Sequence, residues 1–143
     1  MSKLHSLWLA TPTLLALAMA PAWAQSINFT TDLKGSEQVP PLTVGASGKV
    51  EATYDPASKK LTWKGSYAGL SGPATAAHFH GPGDRGANAG VMVPAPASSS
   101  PFEGSATLND AQAAALMGGQ MYFNVHTAAN PGGEIRGQML KRN

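Results

Sequence analysis

The stretch GKVEATYDPASKKLTWKGSY, residues 48–67, decides the fold class, because it has the pattern of a β-hairpin with one buried face. Apolar residues alternate with polar ones in both halves of the stretch, and successive side chains of a strand point to opposite faces. The residues predicted to face inward are Val50, Ala52, Tyr54, Leu61, Trp63 and Tyr67. Residues 55–58, Asp-Pro-Ala-Ser, are turn formers between the two halves. The sequence therefore predicts an antiparallel hairpin.

Short segments of the same kind recur along the rest of the chain, separated by glycine- and proline-rich turns. Further strands are predicted over residues 27–33, 74–80, 91–93, 102–108, 120–127 and 134–140. A single helix is predicted over 109–117, where Asn109 can cap the first turn and Gln112 can complete a capping box. The Pro/Ala/Ser-rich stretch 94–101 is expected to pack little. This pattern predicts an all-β Greek-key sandwich or barrel with one short helix.

The first 24 residues have the features of an export signal. Lys3 and His5 precede an apolar run over residues 7–20, and Ala22-Trp23-Ala24 matches an A-x-A cleavage site. The apolar run is shorter than the roughly 20 residues that a spanning helix needs. We therefore expect cleavage after Ala24, no membrane insertion after cleavage, and a single mature domain at 25–143 that is periplasmic or secreted.

The composition excludes several classes of function. The chain has no cysteine, which excludes a disulfide, a thiol nucleophile and a thiolate metal ligand. Ten Lys and Arg residues stand against eight Asp and Glu residues, without a basic stripe. This balance argues against nucleic acid as a partner.

Two short motifs contain every histidine that follows the export signal: AHFHGPGD at 77–84 and YFNVHT at 122–127. His78 and His80 would share one face of a strand, and His126 would share a face with Asn124 and Tyr122. If the two faces meet, three imidazoles converge. Imidazole suits copper, zinc and nickel, whereas calcium and magnesium prefer oxygen ligands, and these faces contain no Asp or Glu. The motifs therefore predict a transition-metal site, with hydrogen bonding to the loops as the alternative role of the histidines.

Other residues are candidates for supporting roles at this site. Met92 and Met121 are candidates for a fourth ligand, with packing as the alternative, because thioethers are soft ligands that favour Cu(I). Asp84 and Asn124 are candidates to orient a histidine, and Tyr122 is a candidate to line the site. The alternatives are a cap on its own loop turn for Asp84, a bond to a neighbouring strand for Asn124 and a core or rim aromatic for Tyr122.

The last strand contains charged residues for which we predict a structural role. Glu134, Arg136 and Gln138 would share one face, because they alternate along the strand. We expect Glu134 and Arg136 to pair with Arg85 and Asp84 across the end of the sheet. They would then hold the histidine-bearing loops rather than act in catalysis.

The two histidine motifs, followed by NPGGEIRGQ at 130–138, resemble the CHRD domain, which is named for its copies in chordin. The resemblance extends over about residues 27–140. It implies an extracytoplasmic β-sandwich module, largely without an assigned activity, that in chordin binds secreted growth factors. A looser similarity connects the chain to Cu/Zn superoxide dismutase, also a Greek-key sandwich with a His-x-His strand. Three histidines are too few for that enzyme's two metals, and its disulfide is missing here.

The fold expected from these resemblances is a Greek-key sandwich of the immunoglobulin-like or superoxide-dismutase-like kind. The function expected is binding of one copper ion through the three histidines for storage, delivery or sequestration. A protein partner for metal transfer is part of this hypothesis, and zinc is the alternative metal. Two other classes stay open: a structural or protein- or glycan-binding module without metal, and a superoxide-reactive copper enzyme.

Overall fold

The computed structural model describes residues 25–143, so the predicted export signal at 1–24 lies outside the described residues. The described chain forms nine strands, one α-helix and a short 3-10 turn at Gly35–Glu37. The strands are β1 (Ile27–Lys34), β2 (Ser47–Asp55), β3 (Lys60–Ala68), β4 (Ala74–His80), β5 (Val91–Pro94), β6 (Phe102–Thr107), β7 (Tyr122–Thr127), β8 (Ile135–Gln138) and β9 (Leu140–Lys141), and the helix α1 is Asp110–Met117.

The hairpin predicted from residues 48–67 is confirmed. Strands β2 and β3 pair antiparallel from Ser47 opposite Ala68 to Asp55 opposite Lys60. The apolar residues of both strands face the core, and Val50 and Leu61 are fully buried. The alternation of apolar and polar residues fixes this register, because a slip of one residue would turn the apolar face to water.

The strands form one antiparallel sheet that curls back on itself around the core. The order of strands is β5-β4-β7-β8-β1-β2-β3-β6, and β9 also pairs with β1. Trp63 on β3 and Phe79 on β4 lie far apart in this order, yet their ring centroids are 5.0 Å apart. Phe102 on β6 likewise stacks on Phe123 of β7 at 5.5 Å. The two halves of the sheet therefore enclose a common core, which confirms the predicted all-β class.

Helix α1 begins with the predicted capping box. The Gln112 backbone N–H donates to Asn109 Oδ1 at 2.8 Å, and the Asn109 N–H donates to Gln112 Oε1 at 2.9 Å. The Gln112 side chain also donates to the Met92 carbonyl at 2.7 Å, which ties the helix to β5. No helix within residues 25–143 has the length and apolar character needed to cross a membrane.

The stretch 94–101 packs more closely than its composition predicts. Ala95 and Ala97 are buried, at 0% and 4% exposure. The Ala95 N–H donates to the Ala77 carbonyl at 3.0 Å, and the Tyr67 hydroxyl donates to the Ala97 carbonyl at 2.8 Å. The prediction of little packing is wrong for Ala95 and Ala97, because small alanine side chains at alternate positions allow this segment to continue along β4 against the core. The other residues of the stretch are exposed.

Candidate metal centre

Neighbouring strands β4 and β7 bring the three histidines together. The register pairs His78 with Asn124 and Ala76 with His126, so His126 lies diagonally across from His78. One nitrogen from each ring can be chosen so that all three atoms lie within 4.8 Å of one another. The predicted convergence of His78, His80 and His126 is therefore confirmed, and this cluster could hold a metal ion.

Backbone carbonyls fix the tautomers of two of the rings. His80 Nδ1 lies 3.0 Å from the Ala89 carbonyl oxygen, and His126 Nδ1 lies 2.9 Å from the Pro131 carbonyl oxygen. A carbonyl oxygen only accepts, so in both neutral rings the proton is on Nδ1 and the lone pair is on Nε2. Hydrogen bonds of this kind orient histidine ligands in metal sites. The third ring, that of His78, contacts a second histidine directly: His78 Nδ1 lies 3.2 Å from His126 Nε2.

One of these lone pairs has no partner. His80 is only 8% exposed, and its Nε2 atom is buried without a hydrogen-bond donor. A buried polar atom that lacks a partner destabilises the folded state by about 1–3 kcal/mol. A metal ion bound at Nε2 would supply the missing partner, so the donor set fits a metal at this position.

The surroundings of His78 and His80 favour the neutral form of both rings. Burial lowers the pKa of His80, the hydrogen bond to Ala89 opposes this shift, and the nearby His126, His78 and Arg136 lower the pKa further. Burial also lowers the pKa of His78, with a smaller contribution from His126. Neutral imidazole is the form that binds a metal, so the lowered pKa values of His78 and His80 favour metal binding.

Tyr122 lies beside the cluster, as predicted for a residue that lines it. Its ring stacks on the His80 ring at 5.0 Å with an angle of 3° between the planes. Its hydroxyl donates to the Ala89 carbonyl at 3.1 Å and accepts from the Ala89 N–H at 2.9 Å. Tyr122 and His80 therefore both hydrogen-bond the backbone of Ala89, and the ring of Tyr122 covers one face of the His80 imidazole.

Arg136 on β8 anchors the loop that contains Ala89. Its guanidinium carbon lies 3.5 Å from the centre of the Tyr122 ring. The same group donates to the Ala87 carbonyl at 2.7 Å, to the Asp84 carbonyl at 3.3 Å and to Asn88 Oδ1 at 3.3 Å. Arg136 thus holds a histidine-contacting loop, as the sequence predicts, although it does so mainly through backbone oxygens.

The predicted pairing of charges across the end of the sheet was wrong. Arg85 lies 3.3 Å from Glu37 instead of Glu134. Glu134 accepts hydrogen bonds from the Ser71 N–H and hydroxyl at 2.9 and 2.8 Å and from the Thr127 hydroxyl at 2.7 Å. These hydrogen bonds satisfy the buried Glu134 carboxylate where the turn after β3 meets the end of β7, away from the loop that contains Ala89.

Two of the proposed supporting residues act on the loops. The carboxylate of Asp84 is exposed and accepts from the Gln120 side chain at 3.1 Å, so it orients its own loop instead of a histidine. Asn124 accepts from the Gln38 side chain at 2.9 Å and donates to the Gly132 carbonyl at 3.3 Å. Asn124 therefore braces the turn whose Pro131 carbonyl orients His126.

The two methionines belong to the apolar side of the sheet. Met121 is fully buried in the core, on the same side of its strand as Phe123 and Val125 and opposite His126. Met92 is partly buried and packs against the same core. Both methionines thus take the packing role that was expected as the alternative to metal ligation.

The groups that sequence reasoning missed are the carbonyls of Ala89 and Pro131. Neither residue type has a side chain that suggests a role at a metal centre. The available signal was positional, because each histidine motif is followed closely by a glycine- and proline-containing loop. Such loops can turn backbone oxygens toward a preceding strand.

Comparison with known proteins gives one match. The model of the CHRD domain family matches residues 29–139, which include strands β2 to β8 and most of β1, whereas β9 lies just beyond them. No curated protein and no solved structure matches the chain.

Proposed function

This chain belongs to the CHRD domain family, and from that membership and the histidine cluster we propose that it is an exported copper-binding protein. One copper ion is bound by His78, His80 and His126 and is stored, delivered or sequestered. The observation that carries the proposal is the convergence of three ring nitrogens within 4.8 Å. The unpartnered Nε2 of buried His80 adds to it.

The chain's own residues prepare the ligands. The Ala89 and Pro131 carbonyls hold the protons of His80 and His126 on Nδ1, which leaves a lone pair on Nε2 of each ring. The lone pair of His80 has no partner, and that of His126 faces His78 Nδ1. The 3.2 Å contact between His78 Nδ1 and His126 Nε2 is close to the separation of two nitrogens on one metal, since copper–nitrogen bonds are about 2 Å long. Little movement of the strands is therefore needed to admit an ion.

Copper is preferred to zinc on three grounds. Imidazole binds both metals, and copper stands above zinc in the usual affinity order of divalent ions. The family likeness of the motifs and the expected export of the chain also favour copper. Zinc remains the competing metal that the experiment must include.

Export and transfer complete the proposal. The features of residues 1–24 support a periplasmic or secreted location. His78 is the partly exposed member of the cluster, whereas His80 is buried. Exposure on the His78 side gives a protein partner that accepts or supplies the metal a place to approach the ion.

The proposal is tested by metal affinity in matched variants. Purified protein is titrated with copper and with zinc against a chromophoric chelator, beside the variants His126→Ala and Lys60→Ala. Lys60 is exposed on β3, so its replacement controls for a generic effect of mutation. We expect His126→Ala to weaken copper binding by at least about 100-fold and Lys60→Ala to leave it unchanged. Equal affinity of His126→Ala and the parent protein would overturn the proposal.

A module without metal is the second candidate, because His80 and His126 already hydrogen-bond loop carbonyls. On this reading the rings only hold the loops, and the surface serves a protein or glycan ligand. The same titration separates the two functions. A folded protein that retains neither copper nor zinc would favour the structural or ligand-binding module.

A further inference from the structure

Arg136 is a buried cation whose hydrogen-bond partners are all neutral. It is 1% exposed, and its guanidinium donates to two backbone carbonyls and to the amide oxygen of Asn88. A guanidinium stays protonated at neutral pH even where burial lowers its pKa, as it does here. The attraction of Glu37 reaches Arg136, but that carboxylate is itself paired with Arg85 at 3.3 Å. Among residues 25–143, therefore, no direct ion pair offsets the positive charge of Arg136.

This charge lies close to the proposed metal ligands. Arg136 is 3.5 Å from the centre of the Tyr122 ring, which in turn is 5.0 Å from the centre of the His80 ring. The distance from the guanidinium carbon to the centre of the His80 ring is therefore at most the sum of these two distances. Tyr122 is 2% exposed, so the space between is filled by protein, where electrostatic effects are stronger than in water.

The ligands themselves contribute no negative charge. Within residues 25–143 the cluster contains three histidines and no carboxylate, and the chain has no cysteine. The methionines, whose sulfur would favour Cu(I) by its softness, pack with the core. Charge near the ion is therefore one property of the site that discriminates between Cu(I) and Cu(II). A divalent ion adds one more positive charge beside Arg136 than a monovalent ion does.

We propose that the site binds Cu(I) in preference to Cu(II) and that Arg136 is the positioning residue whose charge sets this preference. The inference rests on the proposed function, because it concerns the copper bound by His78, His80 and His126. A fixed unit charge about 9 Å from the metal ion acts here through an effective dielectric constant of about 20. It changes the binding constant by about 20-fold for each additional unit of charge on the ion. Offsetting the charge of Arg136 is thus expected to shift the preference by about tenfold.

The variant Asn88→Asp tests the charge directly while Arg136 stays in place. It replaces an amide by a carboxylate of nearly the same size, at a position where the oxygen lies 3.3 Å from the guanidinium. The matched control is Asn88→Ala, which removes this contact without adding charge. Both variants lose the hydrogen bond that the Asn88 amide donates to the Val39 carbonyl at 2.9 Å, so that loss cancels between them.

The measurement is the ratio of two affinities for each protein. Cu(I) is titrated without oxygen against a Cu(I)-specific chelator, Cu(II) is titrated in air against a Cu(II) chelator, and Zn²⁺ serves as a redox-inert divalent ion. We expect the parent protein and Asn88→Ala to bind Cu(I) more tightly than Cu(II). In Asn88→Asp, the affinities for Cu(II) and Zn²⁺ should each rise about tenfold relative to that for Cu(I).

The outcomes separate this inference from the function on which it rests. Tighter binding of Cu(II) than of Cu(I) by the parent protein would overturn the preference. An unchanged ratio in Asn88→Asp would overturn the role of Arg136. If instead neither form of copper binds to the folded parent protein, the proposed function itself fails. The reduction potential of the bound copper is a second readout, and it should be lower in Asn88→Asp than in Asn88→Ala.

Discussion

Replacing Gly133 by alanine should destabilise the turn that orients His126. Gly133 has a φ of +122°, a conformation that residues with a side chain rarely adopt. An added Cβ would also overlap the side-chain amide of Asn124, which bonds Gln38 at 2.9 Å and the Gly132 carbonyl at 3.3 Å. The backbone conformation costs about 1–3 kcal/mol, and each lost hydrogen bond costs about 1 kcal/mol. We expect a total loss of about 3 kcal/mol in the free energy of unfolding.

The adjacent glycine supplies the control. A Cβ at Gly132 would meet nothing within 4 Å, so Gly132→Ala should change stability by less than about 0.5 kcal/mol. Urea and thermal unfolding of the metal-free proteins are the assay, because a bound metal would add its own stabilisation. The expected decrease in Tm for Gly133→Ala is about 10 °C. If the two alanine variants unfold at the same urea concentration, the reasoning about this turn is refuted.

Three further predictions concern buried polar groups, the helix cap and the core. Burial raises the pKa of Glu134, but hydrogen bonds from Thr127 and Ser71 more than offset this effect, so the pKa is lowered. The charged Glu134 carboxylate therefore stabilises the folded protein above about pH 4.5, and this stabilisation is lost as the pH falls through the lower folded-state pKa. Glu134→Gln should therefore unfold more easily at pH 7, with a smaller loss of stability on acidification, in urea titrations at several pH values. Asn109→Ala should cost about 1 kcal/mol, with Asn109→Ser as a control that keeps a capping oxygen. Phe79→Ala should cost about 3–5 kcal/mol in the same unfolding assay.

The fold follows from local patterns to a large extent. Strand β4 is predicted at 74–80 and observed at Ala74–His80, because the apolar-polar alternation there agrees with the flanking glycine and proline signals. The convergence of the histidines also follows from simple geometry. His78, His80 and His126 occupy alternate positions in strands that pair, so their side chains share one face of the sheet.

The partners of the buried charges do not follow from local patterns. Arg136 bonds the carbonyls of Asp84 and Ala87, and Glu134 bonds Ser71, which is 63 positions away in sequence. These contacts depend on the paths of two loops, and every residue has a carbonyl whose direction the sequence does not specify. The same limit applies to Ala89 and Pro131, whose carbonyls orient the histidines. Side-chain chemistry identifies the candidate ligands, whereas the backbone that supports them is visible only in the structure.

The most direct test of the central claim is the copper content of the purified protein after loading and desalting, measured by elemental analysis. The parent protein should retain about one copper ion per chain. A variant with His78, His80 and His126 all replaced by alanine should remain folded by circular dichroism and retain none. Retention of equal copper by that variant, or of no copper by the folded parent protein, would contradict the account.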